Sequence, residues 1–323
     1  SILDSPYIPF LSLLGAFAVV AVIGKPAIAL LHQLKFGQPI REEGPRSHLS
    51  KKGTPTMGGL LIWIGTLIGA IPALHDSDSL LLLGMFFAYG LIGLADDLMK
   101  VVFKNPRGVP ARIRLVLQLA LAAGFLYLIT GPEQTVQIWG QLSITVPRLL
   151  YIIVGSLLLA GTVNAVNFTD GVDGLLATVL IPTLAFFVII AASVTGQSLI
   201  MAVIGSLVGY LLFNHHPAKV FMGDTGSLAL GALVGSLFFI YGVELLMPLI
   251  CLLYWFELLS VIIQVTSFKT RGVRVFKMTP IHHHFELSGW KENKIVAVFG
   301  LFALATALLG VVIYPYFTGA PLW

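Results

Sequence analysis

The sequence predicts an all-α integral membrane protein with ten transmembrane helices. Three observations support this prediction: the composition, the number of long apolar runs and the placement of basic residues. Of the 323 residues, 57% are hydrophobic and only 11% are charged, whereas a soluble domain carries roughly 25% charged residues. A surface with so few charges could not be kept in water, so we exclude a soluble fold.

Ten apolar runs approach the length of about 20 residues that a helix needs to cross a bilayer core of ~30 Å. No basic residue precedes the first run, which is also too long for a signal-peptide core, so we expect it to be a mature helix. No linker or internal repeat interrupts the chain, which predicts a single transmembrane domain over residues 1–323. The predicted helices cover residues 10–31, 57–74, 80–98, 113–130, 147–165, 175–193, 198–213, 227–241, 244–266 and 295–316.

Basic residues mark one side of the membrane. The odd-numbered loops contain 17 of the 19 Lys and Arg residues, and only Lys25 and Arg148 lie elsewhere. Because cytoplasmic loops are enriched in Lys and Arg, we expect the odd loops in the cytoplasm and both termini outside. On the outer side, residues 134–146 alternate polar and apolar side chains around Trp139, Gly140 and Gln141, which suggests a small β-hairpin.

Five polar segments lie at the predicted cytoplasmic face. The first, residues 50–59, contains Lys51, Lys52 and Thr56 and precedes the second helix. Lysines and free backbone N–H groups beside a helix N-terminus suit an anion. The alternative is a basic flank of the membrane followed by a Pro/Gly turn.

The second segment is Asp96 and Asp97 at the inner end of the third helix. Adjacent carboxylates there are costly unless they are paired, hydrated or metal-bound. Since consecutive helical residues diverge by ~100°, we expect the two to play different roles. Lys100 can reach either of them. The alternative to a functional site is a helix end whose two negative charges Lys100 partly neutralises.

In the third segment, residues 164–174, polar side chains recur at every third position. Asn164, Asn167, Asp170 and Asp173 would therefore gather on one side of any helical stretch. The segment resembles part of a calcium loop, but the downstream glutamate that such a loop needs is missing. A purely structural turn is the alternative to a ligand site.

The fourth segment, residues 214–227, contains Asn214, Phe221 and Asp224 in a run of small residues. Asp224 is either a functional carboxylate or the cap of the eighth helix. Phe221 either faces lipid or offers a flat surface to a base.

The fifth segment contains the consecutive histidines His282, His283 and His284. A zinc site is disfavoured, because adjacent residues rarely converge on one tetrahedral ion and no thiol accompanies them. Switchable donors that face phosphate oxygens fit better, with a pH-sensitive surface patch as the alternative.

The five segments together indicate phosphate chemistry. Carboxylates without cysteines favour Mg²⁺, or in its place Mn²⁺, over zinc or iron. Lysines and histidines beside such an ion suit phosphate transfer, in which catalysis is mainly positioning and charge stabilisation. A polar phosphorylated donor from the cytosol and a lipid acceptor could meet at this face.

The same segments resemble those of the bacterial phospho-N-acetylmuramoyl-pentapeptide transferase family, within the polyprenyl-phosphate N-acetylhexosamine-1-phosphate transferases. The resemblance covers nearly the whole chain. It implies Mg²⁺-dependent transfer from UDP-N-acetylmuramoyl-pentapeptide to undecaprenyl phosphate, giving lipid I and UMP, in peptidoglycan synthesis. It also implies a multi-pass protein of the bacterial plasma membrane and suggests a homodimer, with no nucleic-acid partner.

The resemblance assigns roles residue by residue. It implies catalytic roles for Asp96, Asp97, Asp224 and His283, with Asp224 as a metal ligand and Phe221 stacked on uracil. Lys51 is chosen over Lys52 for the nucleoside side, although Lys52 is not excluded. The implied substrate-binding residues are Lys51, Thr56, Lys100, Asn167, Asp170, Asp173, Asn214, Phe221, Gln264, His282 and His284.

Two other functions compete. Transferases of N-acetylglucosamine-1-phosphate to a polyprenyl phosphate are expected to contain a mixed Arg/His pattern in the last cytoplasmic loop. This chain has three consecutive histidines there. A lipid transporter would also have about ten helices, but its polar groups should lie near the bilayer midplane. Here only Lys25 and Glu257 are expected to lie deeper than the one polar face.

Overall fold

The computed structural model describes residues 5–37, 51 and 53–320. These residues form a helical bundle with one small β-hairpin. The elements are α1 (Ile8–Gln33), α2 (Gly59–Gly69), α3 (Ser77–Val101), α4 (Ala111–Ile129), β1 (Glu133–Trp139), β2 (Leu142–Pro147), α5 (Arg148–Phe168), α6 (Leu175–Ile190), α7 (Val194–Asn214), α8 (Gly223–Ile240), α9 (Met247–Ile250), α10 (Leu252–Arg271), α11 (Ile281–Leu287) and α12 (Glu292–Thr318), with single 3₁₀ turns at Ile71–Ala73 and Glu244–Leu246.

The centre of the bundle is α8, of which 15 of 18 residues are buried. It packs against α3 and α5, while α1 packs against α2 and α7, and α6 packs against α7 and α12. The outer helices expose large apolar side chains, such as Val22, Val116 and Val312. Exposed apolar surface of this extent marks contact with a membrane, which agrees with the composition.

Eight of the described helices are long and apolar enough to cross a membrane, namely α1, α3, α4, α5, α7, α8, α10 and α12. Two shorter apolar helices, α2 and α6, accompany them. Each of the ten predicted runs overlaps one of these ten helices. The prediction therefore located the elements correctly, whereas membrane crossing by α2 and α6 and the orientation of the bundle stay predictions.

Several predicted helix boundaries were wrong by four or five residues, including the end of α2 at Gly69 and the start of α8 at Gly223. The run predicted at 244–266 is broken near Cys251 into α9 and α10, and α10 continues to Arg271, where Gly272 ends it at φ 68°. Pro248 is the second residue of the short α9, and a proline in the first turn of a helix lacks only an N–H group that would be unpaired there. The helix predicted to start at 198 begins instead at Val194, because Ser193 caps it by accepting the Gly196 N–H at 3.0 Å.

The predicted hairpin is confirmed. Strand β1 pairs antiparallel with β2, and Thr135 lies opposite Thr145. The turn contains Gly140 at φ 57°, a left-handed conformation that glycine adopts without strain.

The segment with the histidines was predicted as loop, but it forms α11. Pro280 directly precedes this short helix, and its ring restricts the backbone to a φ compatible with a helix start. Lys52 and most of the first predicted cytoplasmic loop lie outside the described residues.

Candidate active site

The start of α8 is capped by a carboxylate from α3. Asp97 Oδ2 accepts the N–H of Thr225 at 2.9 Å and its hydroxyl at 2.6 Å, and Asp97 Oδ1 accepts the N–H of Asp224 at 3.2 Å. Unpaired N–H groups and the helix dipole both favour negative charge at this end. The sequence analysis allowed Asp224 to be the cap of α8, but Asp97 fills that role. Asp97 thereby also orients Asp224.

The backbones of α3 and α8 touch one turn before Asp97. A side-chain carbon at Gly93 would overlap the carbonyl oxygen of Asp224. Only glycine allows this close approach. The separation of the two helices at the aspartates thus depends on Gly93.

Asp96 and Asp97 have different partners, as the angle between consecutive helical residues predicts. The Lys100 ammonium pairs with the carboxylate of Asp96, whose Oδ1 also accepts the Val109 N–H at 2.8 Å. From the first turn of α4, Arg114 Nη1 lies 3.8 Å from Asp96 and donates to Asp224 Oδ2 at 2.9 Å. The sequence analysis counted Arg114 only as a basic loop residue and missed this contact.

Asp224 is held from a third helix as well. The amide of Asn167 on α5 donates to Asp224 Oδ1 at 3.0 Å and to the Ser227 hydroxyl at 2.7 Å. Helices α3, α4, α5 and α8 therefore converge on one carboxylate. The structure brings Asp96, Asp97, Lys100, Asn167 and Asp224 together, as the sequence analysis expected.

The three aspartates fit a divalent cation. One carboxylate oxygen from each of Asp96, Asp97 and Asp224 lies within 4.8 Å of the others. Only two cationic side chains among the described residues, Lys100 and Arg114, contact these three carboxyl groups. Hard oxygen ligands without a thiol suit Mg²⁺ or Mn²⁺.

A second cluster joins four parts of the chain around Lys51. The Lys51 ammonium donates to Asp173 Oδ1 and to Glu292 Oε2, both at 2.8 Å. The other oxygen of Asp173 lies 3.0 Å from His216 Nδ1 and accepts the Ala218 N–H at 3.0 Å. Asp173, His216 and Glu292 also lie close enough together to hold a metal, but the Lys51 ammonium already supplies a cation there.

Lys51 and Asp173 both keep their charges. Burial opposes the charge on Lys51, but the hydrogen bonds to Asp173 and Glu292 outweigh it and raise the Lys51 pKa. Burial likewise opposes the charge on Asp173, but the Lys51 ammonium outweighs it and lowers the Asp173 pKa. At neutral pH Lys51 and Asp173 therefore present fixed charges to a polar ligand.

Asp170 differs from its neighbours because no cationic side chain among the described residues offsets its burial. Burial, followed by the negative charges of Asp224, Asp97 and Asp173, raises the Asp170 pKa from 3.8 to about 8. The carboxyl group is therefore largely protonated at neutral pH when no cation is added.

We expect Asp170→Asn to stabilise the metal-free protein at pH 8. Since the folded-state pKa is raised, the wild type loses stability as pH rises from about 4 to about 8, whereas asparagine does not titrate. The difference in melting temperature, variant minus wild type, should be largest at pH 8 and shrink towards pH 5. Thermal unfolding in detergent with EDTA measures it, and a difference that does not depend on pH would contradict the raised pKa.

Each histidine of α11 has a different partner. His282 is buried and its Nδ1 lies 3.0 Å from Glu257 Oε2 on α10. His283 Nδ1 lies 2.6 Å from Glu286 Oε2. His284 Nδ1 accepts the Lys277 N–H at 3.1 Å, which leaves the ring proton of a neutral His284 on Nε2.

Two of the predicted substrate-binding residues form hydrogen bonds with backbone groups. Gln264 accepts the N–H groups of Val275 and Phe276, both at 2.9 Å, and donates to the Phe276 carbonyl at 2.8 Å. Asn214 accepts the Gly174 N–H at 3.0 Å and donates to the Val220 carbonyl at 2.9 Å. These contacts give both amides a role in holding loops, and their contact with substrate stays a prediction.

The predicted residues Thr56 and Phe221 lie on two segments that pair with each other. The Phe221 N–H donates to the Pro55 carbonyl and the Gly58 N–H donates to the Phe221 carbonyl, both at 2.8 Å. Thr56 is buried, and its hydroxyl and the Asp97 carboxylate both lie beside Gly223. Phe221 is half-buried, so part of its ring is accessible to a ligand.

Besides Arg114, the sequence analysis missed Glu292 and His216 as partners of the Lys51 cluster and did not connect Glu257 with His282. Glu292 and Glu257 are buried carboxylates in otherwise apolar helices. Such residues are functional or paired by default. The sequence showed Glu257 as a carboxylate within an apolar run, but it could not show that His282 is its partner.

An apolar helical bundle with three carboxylates, a lysine and an arginine where α3, α4 and α8 meet defines a membrane-embedded transferase of phosphorylated groups. The family model described as glycosyl transferase family 4 matches residues 79–242. A phospho-N-acetylmuramoyl-pentapeptide-transferase signature matches residues 51–62, which include Lys51 and Thr56.

Curated relatives agree over most of the chain. One from Thermoanaerobacter sp. is 44% identical over 306 residues, which cover 91% of this chain and 95% of the relative. One from Halalkalibacterium halodurans is 40% identical over 329 residues, which cover 95% and 98%. Both are named phospho-N-acetylmuramoyl-pentapeptide-transferase, and this chain belongs to that family.

Proposed function

We propose that this protein transfers phospho-N-acetylmuramoyl-pentapeptide from UDP to undecaprenyl phosphate, which yields lipid I and UMP in peptidoglycan synthesis. The observation that carries the proposal is the convergence of Asp96, Asp97 and Asp224 with Lys100 and Arg114. Such a set of charges suits positioning and neutralising phosphate groups. Family membership at 44% identity supports the particular reaction.

The donor enters from the cytoplasm in this proposal. The distribution of Lys and Arg supports ten spans, both termini outside and the site at the inner face of the bacterial plasma membrane. The Lys51 cluster receives the nucleoside, since its fixed charges suit hydrogen bonds to uracil and ribose, and Phe221 stacks on the base. The polyprenyl acceptor approaches from the lipid that surrounds the apolar outer helices.

The charged residues then divide the work. Asp224 is the principal ligand for Mg²⁺, which when bound would reduce the repulsion between donor and acceptor phosphates. Lys100 and Arg114 add positive charge beside it, and Asn167 fixes the Asp224 side chain. Asp97 binds the start of α8 and thereby fixes the position of Asp224 relative to α3.

We infer a direct attack of the lipid phosphate on the β-phosphate of the donor. The acceptor is already an anion at neutral pH, because the second pKa of a phosphomonoester is near 6. A protein nucleophile is therefore not needed to supply one. A carboxylate of the Asp96–Asp97 pair takes any residual acceptor proton, and we assign this to Asp97, whose partners are neutral donors whereas Asp96 is paired with Lys100.

We expect Phe221→Ala to weaken UMP binding by roughly 5- to 150-fold, since stacking of a base on an aromatic ring is worth about 1–3 kcal/mol. Isothermal titration calorimetry on the purified protein measures this affinity. Phe10→Ala, which removes an exposed ring from the start of α1, is the matched control and should bind UMP normally. Unchanged UMP affinity in Phe221→Ala would mean that Phe221 faces lipid.

A parallel assay of two donors tests the proposed function. Purified protein with undecaprenyl phosphate and Mg²⁺ should release UMP from UDP-N-acetylmuramoyl-pentapeptide and not from UDP-N-acetylglucosamine. Release only from UDP-N-acetylglucosamine would favour the second class of transferase. Release from neither donor, with an active relative assayed alongside, would refute the proposal.

A further inference from the structure

Glu257 and His282 form a buried pair between α10 and α11, and no other charged side chain among the described residues forms an ion pair with either of them. Both side chains have 0% exposed surface. The Glu257 Oε2 atom faces His282 Nδ1 at 3.0 Å and the His282 backbone N–H at 3.4 Å. A buried carboxylate is expensive unless it is paired and hydrogen-bonded. The contacts with His282 meet this need for Oε2 only, because Glu257 Oε1 has no hydrogen-bond partner among the described residues.

The carboxylate determines where the ring proton lies. An acceptor at Nδ1 keeps the proton on that nitrogen and fixes the orientation of the imidazole. Nε2 is therefore the unprotonated nitrogen of a neutral His282. In the part of the chain that the structure describes, Nε2 is buried without a hydrogen-bond partner.

The Nε2 edge of His282 lies against Gly171. A side-chain carbon at Gly171 would overlap Nε2, so the ring and the backbone of residues 169–174 are in direct contact. This short loop carries Asp170 and Asp173, and Asp173 binds Lys51. The position of the ring thus limits where these two carboxylates can lie.

The His282 ring also borders the next histidine. The ring centroids of His282 and His283 are 4.1 Å apart. Rotation of His282 would therefore disturb both the Gly171 loop and His283. Glu257 is the described side chain that hydrogen-bonds to the His282 ring.

We propose that Glu257 is a positioning residue of the transfer site: its buried carboxylate fixes the His282 ring against Gly171 and thereby places the loop of Asp170 and Asp173 for the nucleotide. This inference rests on the proposed function, because it assumes that this loop contacts a uridine nucleotide. Glu257 itself does not contact the substrate.

The test combines the His282 tautomer with nucleotide affinity in Glu257→Leu. ¹⁵N NMR of the histidine-labelled protein reports which ring nitrogen is protonated, and the His282 signal among the eight histidines is assigned with His282→Gln. We expect Glu257→Leu to shift the proton from Nδ1 to Nε2. UMP affinity should fall about 10-fold or more, the effect typical of removing a carboxylate that orients a functional histidine.

The matched control is Glu244→Gln. Glu244 is another buried carboxylate, hydrogen-bonded by the Tyr151 hydroxyl, and it lies between α8 and α9. This variant should lower the melting temperature but leave the His282 tautomer and the UMP affinity unchanged. A general loss of stability would instead affect binding in both variants.

A wild-type tautomer or wild-type UMP affinity in folded Glu257→Leu would overturn the inference. If Glu257→Leu does not fold, Glu257→Gln replaces it, because an amide oxygen can accept from Nδ1 without the charge. Because this acceptor is kept, Glu257→Gln should keep the proton on Nδ1 and most of the UMP affinity, and a fall of about 10-fold or more would overturn the inference. The tautomer measurement does not depend on transferase activity, so it separates failure of this inference from failure of the proposed function.

Discussion

Asp224→Asn is expected to abolish transfer while the protein stays folded. Asparagine keeps the size of the side chain and can keep the contact with Asn167, but it removes the negative charge to which Arg114 donates. It also removes one of three carboxylates that can hold a divalent cation. We expect turnover to fall by about 10³-fold or more, or about 4 kcal/mol in activation free energy, with a melting temperature close to that of the wild type.

The control for this variant is Asp76→Asn. Asp76 caps α3 at its other end, where its Oδ2 accepts the Ser79 N–H at 2.9 Å and the Ser79 hydroxyl at 2.7 Å. Its loss should lower stability slightly and leave turnover intact. Near-normal turnover of Asp224→Asn at low Mg²⁺ would contradict the assignment of Asp224 as a metal ligand.

Asp97→Asn should lose both activity and stability. The Asp97 carboxylate accepts three hydrogen bonds from Asp224 and Thr225, whereas an asparagine amide has one oxygen and directs its NH₂ group towards a donor. Leaving a buried donor unpaired costs about 1–3 kcal/mol. We therefore expect a melting temperature several degrees lower, since one kcal/mol corresponds to roughly 2–4 °C in a chain of 150–250 residues. Turnover should fall by about 100-fold or more, the contribution of a general base.

The comparison of the two aspartates separates their roles. Asp224→Asn should affect catalysis alone, while Asp97→Asn should affect catalysis and unfolding together. Differential scanning fluorimetry and steady-state kinetics on the same preparations give both quantities. If Asp97→Asn unfolds at the wild-type temperature, Asp97 does not stabilise the start of α8 as its hydrogen bonds indicate.

The sequence predicted the positions of the helices because apolar length is a local property. It also predicted Asp96, Asp97 and Asp224 as a group, since carboxylates at the ends of apolar helices need partners. It could not predict that Asp97 caps α8, because that contact joins residues 127 and 128 positions apart. The break near Cys251 was missed because the apolar run continues through it.

Partners from distant parts of the chain account for the other differences. Arg114 looked like a loop cation until the packing of α3, α4 and α8 placed it on Asp224. Glu292 lies 241 positions from Lys51 in the sequence, and no local pattern relates them. For Gln264 the structure adds a role that the sequence did not indicate, since its amide binds the backbone of Val275 and Phe276, while its contact with substrate stays a prediction.

The central claim is that a phosphorylated sugar moves directly from the nucleotide to the lipid. It is tested with UDP-N-acetylmuramoyl-pentapeptide that carries ³²P in the β-phosphate, incubated with protein and Mg²⁺ with and without undecaprenyl phosphate. We predict label in the lipid product, unlabelled UMP as the other product, and neither UMP release nor labelled protein when the acceptor is omitted. Labelled UDP as the released nucleotide, or labelled protein that passes its label to lipid on addition of acceptor, would contradict the account.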